Sequence, residues 1–327
     1  MTFDRRTLLS QGMVVLCGHL APGLARAQSF PTRPLRLVFP AAAGTAGDIA
    51  TRAIGEKLAE RLGQPVVVEN KPGGNGIIGL QSALQSPADG HTMFVGYSGV
   101  AVVNRYIYRN LSYDMERDFM PVSLAVTVPL ALAVNADLNI GTLEELVARA
   151  KAEPGKMTYG SVYSYSTTHL AMVSFEQAAG INVRQIPFSL AGNMTSELLA
   201  GRLDMAFDTL PTLRAHLSKG RYRLVGVTSK ERSALLPDVP SIAESGYPGY
   251  QAIIFYGFFV KAGTPPAVVQ TLATNIAEIL KDPGIRQRLV ALGIRPEGST
   301  PSGFSDFLRA EHAFWNPVIT KANFPPQ

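Results

Sequence analysis

Short apolar runs alternate with helix-like stretches along this chain, and turns of small residues join them. Residues 35–39 read as a strand and residues 41–47 as a loop of Ala, Gly and Thr. A helix is expected over 48–62 with Asp48 as its N-cap, and a second strand over 66–68. A glycine-rich turn at 70–76, a helix at 77–84 and a third strand at 92–96 follow. This β-α-β-α-β order calls for a parallel sheet with helices on its faces, because parallel neighbours need a crossover and helices supply it.

The pattern then repeats with different loops. Strands are expected at 130–134, 157–159, 183–186, 205–207 and 224–227, with helices at 142–152, 169–179 and 194–199. Thr142 caps the first of these helices, and Glu144 and Glu145 sit in its first turn, where the helix dipole favours acids. A late strand at 255–260 precedes helices at 265–280 and 302–320 that have no sheet of their own. The economical arrangement returns the chain to the first unit near Phe255. The expectation is an α/β chain of two lobes, each a sheet flanked by helices: residues 28–125 with 255–327, and residues 126–254. Crossings are expected near 125–127 and 255–257.

Composition narrows the function. Of 327 residues, 46% are apolar and 17% charged, which excludes a disordered chain. A net charge of +5 without a basic block speaks against nucleic acid. Cys17 is the single cysteine, so structural disulfides, thiol catalysis and Cys-ligated zinc are all excluded. Residues 1–27 read as an export signal. Arg5 and Arg6 precede an apolar run broken by Gln11, His19 and Pro22, and Ala25-Arg26-Ala27 offers a cleavage site. The run is too interrupted to span a bilayer, and the arginine pair resembles a twin-arginine signal. Twin-arginine and Sec export both remain open, and either delivers the protein to the periplasm.

Catalytic motifs are thin. Residues 74–79 match G-x-G-x-x-G, yet the next strand ends at Tyr97-Ser98 without the acid that would hold a ribose. His91, His169, His216 and His312 show no metal-ligand spacing, so no metal or cofactor is expected. Gly96-Tyr97-Ser98-Gly99 resembles a nucleophile elbow, but Val100 stands where its last glycine belongs. An exported hydrolase using Ser98 or Ser164 is the alternative to a non-catalytic protein.

Several longer blocks carry a resemblance. Residues 34–40, the loop to Asp48 with Arg52, and Val67-Val68-Glu69-Asn70-Lys71-Pro72-Gly73 are similar to the Bug family, the periplasmic receptors of tripartite tricarboxylate transporters. So are residues 87–92, 159–161, 168–170, 201–208, 236–241 and 260–265, in the same order. The resemblance implies a two-lobed, type II-like periplasmic binding protein. It would hold a small carboxylate in the cleft and hand it to membrane transporter subunits or a sensor domain. A monomer is expected. Ala42, Ala43, Gly44 and Thr45 would line the cleft from the first lobe, with Ser98 beside them. Ser161, Tyr163, Ser164, Tyr165, Ser166 and Thr167 would line it from the second, with Phe188, Ala191, Gly192 and Asp208. The family usually has glycines at 163 and 165 and a tyrosine at 188. The rings here suggest an aromatic solute, since well-placed ring contacts add ~0.5–1.5 kcal/mol. Helix N-termini suit the task independently, because their unpaired N–H groups and dipole attract anions.

Overall fold

The computed structural model describes residues 30–325 and 327. The export signal read over residues 1–27 lies outside the described residues. The first unit opens with β1 (Leu35–Phe39), α1 (Ala46–Leu62), β2 (Val66–Asn70), α2 (Ile77–Leu84) and β3 (Thr92–Tyr97). Short helices α3 (Asn104–Ile107) and α4 (Met115–Asp118) then lead into β4 (Phe119–Asn135), a strand of 17 residues. The second unit holds α5 (Leu143–Ala152), β5 (Thr158–Val162), α6 (Thr167–Ala179), β6 (Arg184–Phe188) and α7 (Ala191–Leu199). It continues through β7 (Met205–Thr209), α8 (Leu210–Leu217) and β8 (Tyr222–Val227). The chain ends with β9 (Ile253–Lys261), α9 (Pro266–Lys281), α10 (Pro283–Ala291), β10 (Arg295–Pro296) and α11 (Pro301–Ala322).

One strand serves both sheets. The path runs β2-β1-β3-β9-β4-β7-β5-β6, with β8 and β10 also paired to β4. Residues 119–129 of β4 pair with β9, and residues 130–134 pair with β7. The change of partner falls between Pro129 and Leu130. The returning chain crosses at Ala252, whose N–H donates to Thr228 O, into Ile253 opposite Pro129. Apolar packing follows the same plan. Leu37, Phe39 and Val95 bury one face of the first sheet against Ala53, Ile54 and Leu58 of α1 and Leu272 and Ile276 of α9. The other face, with Phe94, Phe255 and Phe259, meets Phe304 and Trp315 of α11 in a cluster that reaches Leu170 and Phe175 of α6. Thus α9 and α10 stay with the first sheet, while α11 touches both units.

Register sets the site. β3 runs parallel to β4 and ends at Tyr97, level with Tyr256 and hence with Val126. β7 runs antiparallel to β4 and brings Asp208 level with Ala131, with β5 parallel beside it. The carboxyl ends of the two sets of strands therefore face each other across residues 126–131 of a single strand. At ~3.4 Å per residue that separation is roughly 17 Å. The helices that follow β1, β5 and β6 all start on this facing edge, where open α/β sheets place their ligands.

Candidate functional site

The loop after β1 is held from beneath. Ala42, Ala43 and Gly44 are exposed, and Gly44 has a φ of 80°, a left-handed geometry that favours glycine. Thr45, not Asp48, is the N-cap of α1: its Oγ1 accepts the Asp48 N–H and donates to Ala42 O at 3.1 Å. The hydroxyl of Thr45, a residue expected to line the cleft, is thus used inside the loop. Asp48 sits one turn further in and is buried. Its carboxylate accepts the Gly44 N–H at 2.9 Å, Arg52 Nε at 3.0 Å and Asn70 Nδ2 at 2.8 Å. Burial pushes its pKa up, but Arg52, the Gly44 N–H and Asn70 outweigh this and hold it below the ordinary range. The Gly47 N–H is taken by the Tyr256 hydroxyl, whose pKa burial pushes up to about 12.

The loop after β5 is built differently. Ser166 caps α6, accepting the His169 N–H at 3.3 Å and donating to Tyr163 O at 3.2 Å. No acid stands in the first turn of α6. Thr167 and Thr168 begin the helix, so the helix itself cannot pair their N–H groups. Tyr163 and Tyr165 have φ of 60° and 66°, left-handed conformations that cost a non-glycine residue strain. Tyr163 is pinned there by its N–H, which donates to Phe188 O at 2.8 Å, tying the loops after β5 and β6 together. Tyr165 is pinned by His169, whose Nδ1 accepts the Tyr165 N–H at 2.8 Å. Burial pushes His169 down to about 4, so the ring is neutral and can accept.

The expected site residues separate into groups. Tyr163 is 53% exposed and Ser164 is exposed beside it. Thr167 is buried at the helix start, and Gly192 is exposed in the first turn of α7, which Ala191 opens. Tyr165 turns away to Phe324, and Phe188 packs against the cluster of Ala206 and Leu213, so of the three expected rings only Tyr163 is free. Ser161 is fully buried and accepts Gln185 Nε2 at 2.7 Å. Ser98 is fully buried as well. Its Oγ donates to Ile253 O and accepts the Phe255 N–H, tying β3 to β9, which leaves neither a reachable solute contact nor a nucleophile. Asp208 is buried with Oδ1 accepting the Thr209 N–H and Oδ2 unpartnered, and burial pushes it up to about 7.

A cavity of about 480 Å³ lies elsewhere on the joint, lined by Leu124, Thr127, Pro129, Lys230, Ile253 and Arg295 among others. None of the expected residues lines it. Among the described residues no cluster could hold a metal, and no helix is long and apolar enough to cross a membrane.

Residues 50–324 match the model of the tripartite tricarboxylate transporter family receptor, TctC. The chain belongs to this family. Relatives in the family agree. The UPF0065 protein in the tcbD-tcbE intergenic region of Pseudomonas sp. (strain P51) is 36% identical over 297 residues, 90% of this chain and 88% of that one. BugT of Bordetella pertussis is 30% identical over 307 residues, 94% of each chain. An R. palustris protein solved with adipate superposes with a TM-score of 0.82 at 32% identity, covering 91% of this chain and 100% of that one. MatC of Rhodopseudomonas palustris with bound malate gives 0.76 at 27% identity, covering 89% and 100%. The TctC receptor is a periplasmic binding protein with the α/β fold of that class, not an enzyme. The hydrolase alternative falls with this, and Ser98 had no access to a substrate in any case.

Proposed function

We propose that this receptor captures a small carboxylate on the facing edge between the two units and delivers it to the membrane subunits of a tripartite tricarboxylate transporter or to a sensor. The N-terminus of α6 anchors the carboxylate, and the loop of Ala42, Ala43, Gly44 and Thr45 covers it from the first unit. One observation carries this: α6 begins on the facing edge with a serine cap, two threonines and no acid in its first turn. Such an end attracts an anion through its unpaired N–H groups and dipole. The adipate and malate complexes of the two R. palustris relatives support the same ligand class. The exposed Tyr163 ring favours a solute with a flat apolar body, such as a benzoate-like acid, over a short aliphatic one.

A thermal-shift panel of adipate, malate, succinate and benzoate, beside simple amines and sugars, tests this on the purified chain. A ligand at 100 times its Kd stabilises the fold by ~2.7 kcal/mol. Stabilisation by amines or sugars with none by any carboxylate overturns the reading.

A further inference from the structure

The chain's last residues fasten both units at once. After α11, Asn323 takes a left-handed turn with φ of 48°, and Phe324 swings onto the loop after β5. Its ring lies 5.0 Å from the Tyr165 ring, edge to face, and 5.3 Å from His169. Gln327 then reaches the first unit. Its N–H donates to Ile107 O at 3.0 Å, and its carbonyl accepts the Arg109 N–H at 3.1 Å. The same residue's Nε2 donates to the Tyr165 hydroxyl at 3.3 Å. Ile107 ends α3, and Tyr165 stands between the exposed Tyr163 and the cap Ser166. Two backbone bonds thus secure the tail to one unit, while ring packing and one side-chain bond secure it to the other.

We propose that this tail is a strap that sets the shape of the loop after β5, with Phe324 and Tyr165 as positioning residues for solute binding. It rests on the reading of that loop as the carboxylate anchor. Tyr165 holds a strained backbone, and such a conformation persists only where its surroundings over-determine it. The surroundings here are three: the His169 ring at its N–H, Phe324 at its ring and Gln327 at its hydroxyl. Phe324 also covers His169, keeping that ring dry and able to accept. Tyr159, stacked 6.3 Å away, and Tyr165 are the titratable side chains whose rings meet it. Because the strap is rooted in the first unit, the binding loop's order and the contact between units rise and fall together.

Amide hydrogen exchange on the full chain, first without ligand and then with adipate, malate, succinate or benzoate, tests this, since local openings are read residue by residue. Phe324→Ala is expected to speed exchange of amides 163–166 at least about tenfold, with the core of α6 unchanged. It should also raise the His169 titration midpoint above about 4, followed by NMR. Tyr165→Gly is expected to speed exchange of the Arg109 amide in the other unit, which a mere surface plug would leave alone. Phe324→Tyr, which keeps the ring, should restore wild-type exchange. Should Phe324→Ala not fold, Tyr165→Phe removes only the Gln327 bond and should still speed Arg109. An Arg109 amide indifferent to both Tyr165 variants overturns the strap. Exchange that responds as expected while no carboxylate slows it overturns the binding reading and leaves the strap standing.

Discussion

The loops after β1 and β5 end in the same way, with a hydroxyl residue capping a helix on the facing edge, yet they are finished by opposite means. At α1 the protein supplies its own anion. Asp48 is buried at the third helical position and draws in the Gly44 N–H, Arg52 and Asn70, while Tyr256 takes the Gly47 N–H. In the first turn of α6 no acid is present, and uncharged groups (Ser166, Thr168 and a neutral His169) frame the helix start. The difference teaches which end has room for a ligand's charge. A helix N-terminus already facing a carboxylate gains little from a second one, whereas an end kept neutral by burial still has its dipole unanswered.

The largest effect should come from charging the neutral end. His169 titrates near 4 in the folded chain and near the ordinary 6.5 when unfolded. Below pH 6.5 the unfolded state therefore binds the extra proton first. Stability should be full above about 6.5 and fall by about 3 kcal/mol as pH drops toward 4. Denaturant melts of wild type and His169→Gln across that window check this, and equal slopes would remove His169 from the account.

Next is the closed end. A Cβ at Gly47 would stand 2.2 Å from Cε1 of the Tyr256 ring. Gly47→Ala should cost about 2 kcal/mol by overpacking, and pairing it with Tyr256→Leu should recover much of the loss. An unshifted melting curve for Gly47→Ala would show that the ring does not seal α1.

A smaller effect separates the two ends by affinity. Ser166→Ala should lower stability by about 1 kcal/mol and weaken adipate binding about tenfold. Asp48→Asn should leave affinity within about twofold, because its charge is already answered by Arg52. Calorimetry giving the reverse order would move the anchor to α1.

The smallest effect is a gain. Tyr163→Gly should stabilise the chain by about 1 kcal/mol by relieving the left-handed backbone. The same change should erase any preference for benzoate over adipate. A ranking that survives it would deny Tyr163 a role in selectivity.

The β-α-β order and the edge it creates were legible in the sequence, because period and turn residues act locally. Most of what was missed depended on distant partners. Only residues 130–134 of β4 read as a strand, since Pro121 and Pro129 interrupt the run. In the fold, register shifts between 121 and 123 and between 124 and 126 accommodate the strand beside β9. Asp48 looked like the cap because it opens the periodic stretch, whereas Thr45 holds the cap and Asp48 the third position. Phe324 lies 159 positions from Tyr165, so no local pattern could announce that the tail would claim this ring. Ser98 was rightly placed just past the end of β3, whereas Ser161, read into the loop after a strand at 157–159, lies inside β5; the burial of both depends on neighbours in β9 and β6.

The contact between Gly47 and Tyr256 also has an evolutionary consequence. The ring fills the volume that any side chain at position 47 would need, and its hydroxyl serves the amide of that same residue. Mutational drift at either site alone passes through a clash or an orphaned amide. The two positions are therefore expected to change as a pair across descendants of this chain, a residue with a Cβ at 47 arriving only with a smaller side chain at 256.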